Sequence, residues 1–198
     1  MDGSGESILL VDDAGKVFPT DSYWPLITWA EALGATEAGQ SLAVPITASH
    51  AVDELVQGMP INIVRTENHP RAILQGNRAH PAFDGLAFTA SVLALISNMR
   101  ADLSELVKDL PTKARHKVDV PVSWQGKGRA MHGMMAQSKD KKRELIDGIK
   151  VYHEEGWALV LPDGELPVVS VYTEASTEDE ADALAQLYAA EINLSQLT

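Results

Sequence analysis

The chain has 198 residues, 45% of them hydrophobic and 22% charged, enough for one large or two small globular domains. A formal net charge of −12 argues against nucleic acid and an anionic membrane as partners, because both need a basic face. Cysteine is absent, which excludes a disulfide framework and a thiolate metal site.

In chain order, Ser7 to Val11 reads as an apolar strand. Asp12 to Gly15 is a turn signal, and Lys16 to Phe18 returns as a second short strand. Asp21 or Ser22 caps a helix to about Leu33, with Pro25 tolerated in its first turn, and Gly34 ends it. Leu42 to Ile46 is a buried strand, Thr47 or Ser49 starts a helix to Val56, and Ile61 to Arg65 is a strand. A short helix is predicted from Pro70 to about Gln75. A buried helix, apolar nearly all round, is predicted from Asp84 to about Asn98. Asp102 to Glu105 has capping-box spacing and opens a helix to Leu110. Strands alternate with helices up to Pro111, which predicts an α/β unit with a mostly parallel, helix-covered sheet.

The pattern then changes. Val118 to Ser123 reads as a strand and Gly126 to Ser138 as a helix. Three strands follow within Asp147 to Ala175, and an acidic amphipathic helix runs from Thr177, paired with Glu180 as a capping box, to about Asn193. This is an α+β unit with an antiparallel sheet, and the boundary falls near Thr112 to His116. The longest apolar run, Leu86 to Ile96, is too short to span a bilayer, and the N-terminus lacks signal-peptide regions, so a cytoplasmic location is expected.

The second tight turn of the late hairpins, "LPDGELP" at Leu161 to Pro167, carries a resemblance. The stretch around it resembles the last domain of the α-D-phosphohexomutases (phosphoglucomutase and phosphomannomutase), whose equivalent turn reads roughly R-P-S-G-T-E-P and grips the phosphate of a sugar phosphate. Pro162, Gly164 and Pro167 stand where the family has them. Leu161 replaces the arginine, Asp163 the serine, Glu165 the threonine and Leu166 the glutamate. By this resemblance residues 1–7 are a remnant of the metal-loop region, 8–112 a third-domain-like unit and 113–198 a fourth-domain-like unit with the TBP-like antiparallel sheet. The blocks "AVPITASHAVDELV", "IVRTENHPRAIL", "VPVSWQGKGRAMHGMM" and "ELIDGIKVYHEEGWALVLPDGELPV" are also similar to the mutase-like tail of bacterial and archaeal sugar-phosphate nucleotidyltransferases of the mannose-1-phosphate guanylyltransferase kind.

The resemblance also implies where the family's other loops should lie. Its magnesium loop, D-G-D-G-D-R, should end at Asp2 to Ser7, where Asp2 remains, Ser4 replaces the second aspartate and Glu6 the third. Two carboxylates make a poor site for a hard cation, so no cofactor is expected in this chain, although an intact family member would take magnesium. Thr47 to His50 spells the "TASH" of the family's nucleophile loop, but Ala51 and Val52 follow, and flanking blocks place it in the wrong domain. It reads as a helix N-terminus. The family's sugar loop, G-E-x-S-G, is missing between Ile73 and Asp84, where only Asn77, Arg78 and His80 offer polar groups. Arg65, His69 and Arg71 in "RTENHPR" are the best remaining polar cluster for residual anion binding. Lys127 and Arg129 in "WQGKGR" put two cations at a helix start, like an anion nest, without the G-K-[ST] ending of a P-loop. The six histidines show no paired metal spacing on any one helix and read as surface residues.

The expected function is a catalytically silent phosphohexomutase-like module of a protein of sugar-phosphate or sugar-nucleotide metabolism, structural or regulatory, or weakly phosphosugar-binding. No residue is assigned a catalytic role. The alternatives are a fragment of an active hexose-phosphate mutase and a stand-alone protein-interaction domain. The partners implied are a hexose phosphate, the remainder of a longer polypeptide (a nucleotidyltransferase or the N-terminal half of a mutase) and a second copy of the chain.

Overall fold

The computed structural model describes residues 8–18, 23–34, 40–69, 71–73, 85–108, 110–154 and 156–196. The chain divides into two compact units, Met1–Thr112 and Lys113–Thr198.

In the first unit the early hairpin shrinks to one antiparallel bridge, Val11 to Val17, in place of two short strands. The Leu10 amide donates to the Tyr23 hydroxyl at 2.9 Å. Asp12 Oδ1 accepts from Ala14 N (3.0 Å) and Lys16 N (2.7 Å), shaping a turn in which Gly15 has φ of 81°. These side chains satisfy amides that a longer ladder would otherwise need.

Helix α1 spans Tyr23–Gly34, strand β1 Gln40–Pro45, helix α2 Ala51–Leu55, strand β2 Ile61–Thr66, helix α3 Gly85–Met99 and helix α4 Leu103–Lys108. Strands β1 and β2 run parallel, in register from Gln40 against Ile61 to Pro45 against Thr66. Among the described residues the parallel sheet has these two strands. Its buried side, Leu42, Val44 and Ile61, packs with Val52, Val56 and Ala32. A second cluster joins Leu26, Ile27 and Trp29 of α1 to Phe88, Val92 and Leu95 of α3 and Leu103 and Leu106 of α4. Each such side chain removed from water contributes about 1.5–3 kcal/mol before the entropy of ordering it.

Two helix starts differ from the reading of the sequence. The N-cap of α2 is His50, with no side-chain cap bond, and Ser49 Oγ accepts from Ala51 N at 3.0 Å. At α4 the Ser104 amide donates to Asp13 Oδ1 at 2.9 Å, so a carboxylate distant in sequence caps this helix. Of the short helix read at Pro70 to Gln75, residues 71–73 are helical, and its two ends lie outside the described residues. Asp21, Ser22 and Asp84, read as helix starts, also lie outside them.

The second unit contains β3 (Ala114–Pro121), α5 (Trp124–Gln137), β4 (Arg143–Glu144), β5 (Ile149–Tyr152), β6 (Gly156–Pro162), β7 (Val168–Ala175) and α6 (Glu178–Ser195). The sheet order is β3-β7-β6-β5-β4, every pair antiparallel. Val120, Val169, Val171, Ala158, Val160, Ile149 and Val151 point to one face and pack on Ala130 and Met134 of α5 and Tyr188 and Ile192 of α6. Gly156 begins β6 because nothing larger fits: a Cβ there would lie 1.9 Å from the Glu174 carbonyl oxygen. Thr177 and Glu180 form the expected capping box on α6, with Glu180 N to Thr177 Oγ1 at 3.3 Å and Thr177 N to Glu180 Oε2 at 3.0 Å. Among the described residues no helix is long and apolar enough to cross a membrane.

Candidate functional site

The β6–β7 turn is built from its ends inward. Leu161, where the resemblance would put a phosphate-gripping arginine, is buried in β6 and paired with Ser170. Pro162 ends β6, and Pro167 lends its carbonyl to the Val122 amide at 2.9 Å, which fastens the turn to the start of α5. The tip is organised by Asp163. Its Oδ1 accepts from Glu165 N at 2.8 Å and from Leu166 N at 2.7 Å. Those two amide bonds hold the Asp163 carboxyl below the usual range, with a smaller contribution from the Lys127 charge. Gly164 does not take a left-handed conformation, and a Cβ added to it would meet open space. The Asp163 carboxylate, rather than glycine freedom, therefore shapes this tip.

Lys127 meets the turn from below. Ser123 caps α5, accepting from Gly126 N at 3.1 Å, and this sets the first helical turn so that Lys127 points back at Asp163 and Leu166. The ammonium donates to Asp163 O at 2.6 Å and to Leu166 O, and it lies 3.8 Å from the centre of the Trp124 ring. Lys127 is only 8% exposed, so this cation is committed to main-chain oxygens and an aromatic face. Arg129, two residues on, turns away. It lines an open notch of about 300 Å³ with Gly128, His132, Gly133 and Ser195. The two cations read as a joint nest thus serve different surfaces.

In the first unit Arg65 is likewise engaged. Its guanidinium donates to Ala48 O at 2.8 Å and Ser49 O at 3.1 Å, and it forms an ion pair with Asp53. Arg65 therefore fastens the Thr47–His50 segment, whose Thr47 hydroxyl donates to Asn68 Oδ1 at 2.9 Å. His69 and Arg71 are exposed, and the Arg71 amide donates to His69 Nδ1 at 3.2 Å. Arg71 forms no ion pair with any described residue. Asp2, Ser4, Glu6, Asn77, Arg78 and His80 lie outside the described residues. Among the described residues no three His, Asp or Glu side chains are gathered as a metal site.

Reading the sequence missed two polar networks of the second unit. Trp157 Nε1 donates to buried Glu174 Oε1 at 3.0 Å, with Arg115 3.8 Å from the other carboxylate oxygen. Ser170 donates to Asp119 Oδ1 at 2.6 Å, and this bond, together with Lys117, holds the Asp119 carboxyl low. Strand alternation was the available signal: Arg115, Lys117 and Asp119 share the face opposite Val118 and Val120.

A small two-stranded parallel sheet with helices, followed by an antiparallel sheet backed by two helices, is the architecture of the C-terminal domains of hexose-phosphate mutases. A phosphoglucomutase/phosphomannomutase family protein of Burkholderia thailandensis matches it with a TM-score of 0.77 at 17% identity, over 98% of this chain and 45% of that one. The Aspergillus fumigatus N-acetylphosphoglucosamine mutase, solved with GlcNAc-6P and magnesium, matches with a TM-score of 0.63 at 13% identity, over 95% of this chain and 46% of that one. In sequence, the Thermococcus kodakarensis phosphoglucomutase/phosphomannomutase is 25% identical over 206 residues, covering 94% of this chain and 45% of the relative. A probable phosphoglucosamine mutase of Methanothermobacter thermautotrophicus is 28% identical over 204 residues, covering 91% of this chain and 43% of the relative. No protein-family model matches the chain. Sequence and fold together relate the chain to the α-D-phosphohexomutase superfamily, and it corresponds to the C-terminal part of those proteins, about 45% of their length.

Proposed function

We propose that the chain is a phosphohexomutase-type module without mutase activity of its own, part of a protein of sugar-phosphate or sugar-nucleotide metabolism. Its role in that protein is structural or regulatory, with weak phosphosugar binding at most. The observation that carries this reading is the commitment of Lys127. This buried cation beside the β6–β7 turn donates to two main-chain oxygens, and the tip it leaves carries Asp163 and Glu165. A phosphate grip needs charge-assisted bonds contributing roughly 1.5–3 kcal/mol each. Losing one costs about one to two decades of affinity at ~1.4 kcal/mol per decade. Two carboxylates at the tip add repulsion toward a dianion. A mutase must hold both ends of its substrate in turn, and this turn is built against that. Cytoplasmic location belongs to the same reading, as does attachment to a nucleotidyltransferase or to another N-terminal partner domain.

Calorimetry with glucose 1-phosphate and mannose 1-phosphate tests the reading. The expected result is no submillimolar binding. Tight binding that disappears in Arg71→Ala, or mutase turnover by the chain alone, would overturn it.

A second reading, a fragment of an active mutase, is supported by colinear similarity to complete mutases over 94% of the chain. The reading frame ahead of these residues separates the two. An intact nucleophile loop and an acidic metal loop there support the fragment; a nucleotidyltransferase domain there supports the silent module.

A further inference from the structure

Helix α3 is apolar on two faces. Phe88, Val92 and Leu95 are buried in the core of the first unit. Leu86 and Leu93, one heptad apart, lie on the opposite face and are 67% and 60% exposed. With Thr89 and Ile96 they keep the alternating three- and four-residue spacing of a coiled-coil seam over ~15 Å of helix. The Thr89 hydroxyl donates to Gly85 O at 2.7 Å, so the one polar side chain of these four is already satisfied. The all-round apolar pattern of this helix is therefore used on one face and left open on the other.

Thr89, Leu93 and Ile96 wall an open groove of about 320 Å³ that also takes in Val11, 46% exposed. Among the described residues the charged side chains that line it are two carboxylates, Asp13 and Asp102. Bonds from the Ser104 amide and hydroxyl, and least of all the Lys108 charge, keep Asp13 ionised. An apolar floor at heptad spacing with an acidic rim selects its occupant by charge as well as shape. Nucleic acid and anionic lipid are repelled by the rim. A second copy of the chain, paired about a twofold axis, would set one acidic rim against another in a molecule carrying a net charge of −12. We propose that the α3 groove is the docking site for an amphipathic helix of a partner polypeptide, with leucine-type side chains against Leu86, Leu93 and Val11 and lysine or arginine against Asp13 and Asp102. This holds whether or not the chain turns over hexose phosphates, since no residue of the β6–β7 turn or of the Arg65 cluster lines the groove.

The test is a fluorescence-anisotropy titration of the full chain against a labelled synthetic peptide of about three heptads, long enough to be helical, with leucine at a and d and lysine at e and g. Saturable one-to-one binding is expected, weakening as sodium chloride is raised. The same peptide with glutamate at e and g should bind at least tenfold more weakly. Leu86→Asp and Leu93→Asp should each lower affinity about tenfold or more, as loss of a buried leucine contact does, and both sites are exposed enough to keep the thermal midpoint. Asp102→Asn should weaken binding by a smaller factor and make it less sensitive to salt. Leu187→Asp, at an exposed leucine of the second unit, should change nothing. Leu93→Gln serves where the aspartate variant loses helicity by circular dichroism. Absence of saturable binding would overturn the proposal. Binding that survives Leu93→Asp unchanged would be general attraction to an acidic chain and would overturn it too. So would a concentration-dependent dimer in sedimentation that Leu93→Asp abolishes, because the groove would then belong to a second copy. Hexose-phosphate turnover by the chain would overturn the silent-module reading and leave the groove untouched.

Discussion

Lys127 shows how one side chain changes its job with its partners. Truncating it to alanine removes the Lys127 donor from Asp163 O and leaves Leu166 O with the Val168 amide alone, at 2.8 Å. Each buried polar group left unmatched costs about 1–3 kcal/mol, so Lys127→Ala should lower unfolding stability by that order in urea, with the slope unchanged. His153 carries a different signature. Its Nε2 lies 3.0 Å from the Tyr188 hydroxyl, and burial, then the nearby Lys141 charge, pushes its pKa below 6.5. Burial, then the Glu191 charge, drives the pKa of Tyr188 up. The unfolded chain therefore takes up the imidazole proton before the native one does. The His153 contribution is complete above the unfolded value near 6.5, declines as pH falls below it, and is gone once pH has passed the lowered native value. His153→Gln, which keeps an acceptor without titrating, should flatten that part of a denaturation series run from pH 7 to 5. From sequence, Lys127 is visible as a cation at a helix start. Its target is not, because Asp163 is 36 positions away and only the sheet brings it near.

Elements were legible where their signals are local. The Thr177–Glu180 box marks the start of α6 because both bonds lie within one turn. The β5, β6 and β7 strands show as apolar runs punctuated by tight turns. Strand β3 begins at Ala114, four residues before the reading at Val118, because Arg115 and Lys117 alternate with His116 and mask the strand period. Its true extent comes from pairing with β7 along its whole length, a tertiary cause. Gly156 belongs to this scale as well. Its hydrogen faces the Glu174 carbonyl of β7, and an alanine methyl would have to push β6 and β7 apart. Overpacking of this kind costs about 1–3 kcal/mol or more, so Gly156→Ala should lower the thermal midpoint measurably. Gly164→Ala, with open space around it, should leave that midpoint nearly unchanged.

At the scale of the whole molecule, composition decides the response to salt. A net charge of −12 over 198 residues makes the compact state self-repelling. Moderate sodium chloride screens that repulsion over a Debye length of about 8–10 Å, so the thermal midpoint should rise from low salt toward physiological ionic strength. A midpoint that falls with salt would mean that local ion pairs, such as Arg65 with Asp53, outweigh the net charge. The parallel half of the fold was less legible than the antiparallel half, since its strands reach their neighbours only through long crossovers and its first expected strand is reduced to a single bridge.

The carboxylate of Asp13, bonded to the amide and hydroxyl of Ser104 at 2.9 and 2.8 Å, joins positions 91 apart. It acts as a clasp that closes the first unit as a ring. Closing so long a loop carries an entropic cost that grows only with the logarithm of its length. The contact is accordingly expected late in folding and early in local opening. In Asp13→Ala the Ser104 amide should exchange with solvent deuterium much faster than in the parent chain, while the amides of β6 and β7 keep their protection.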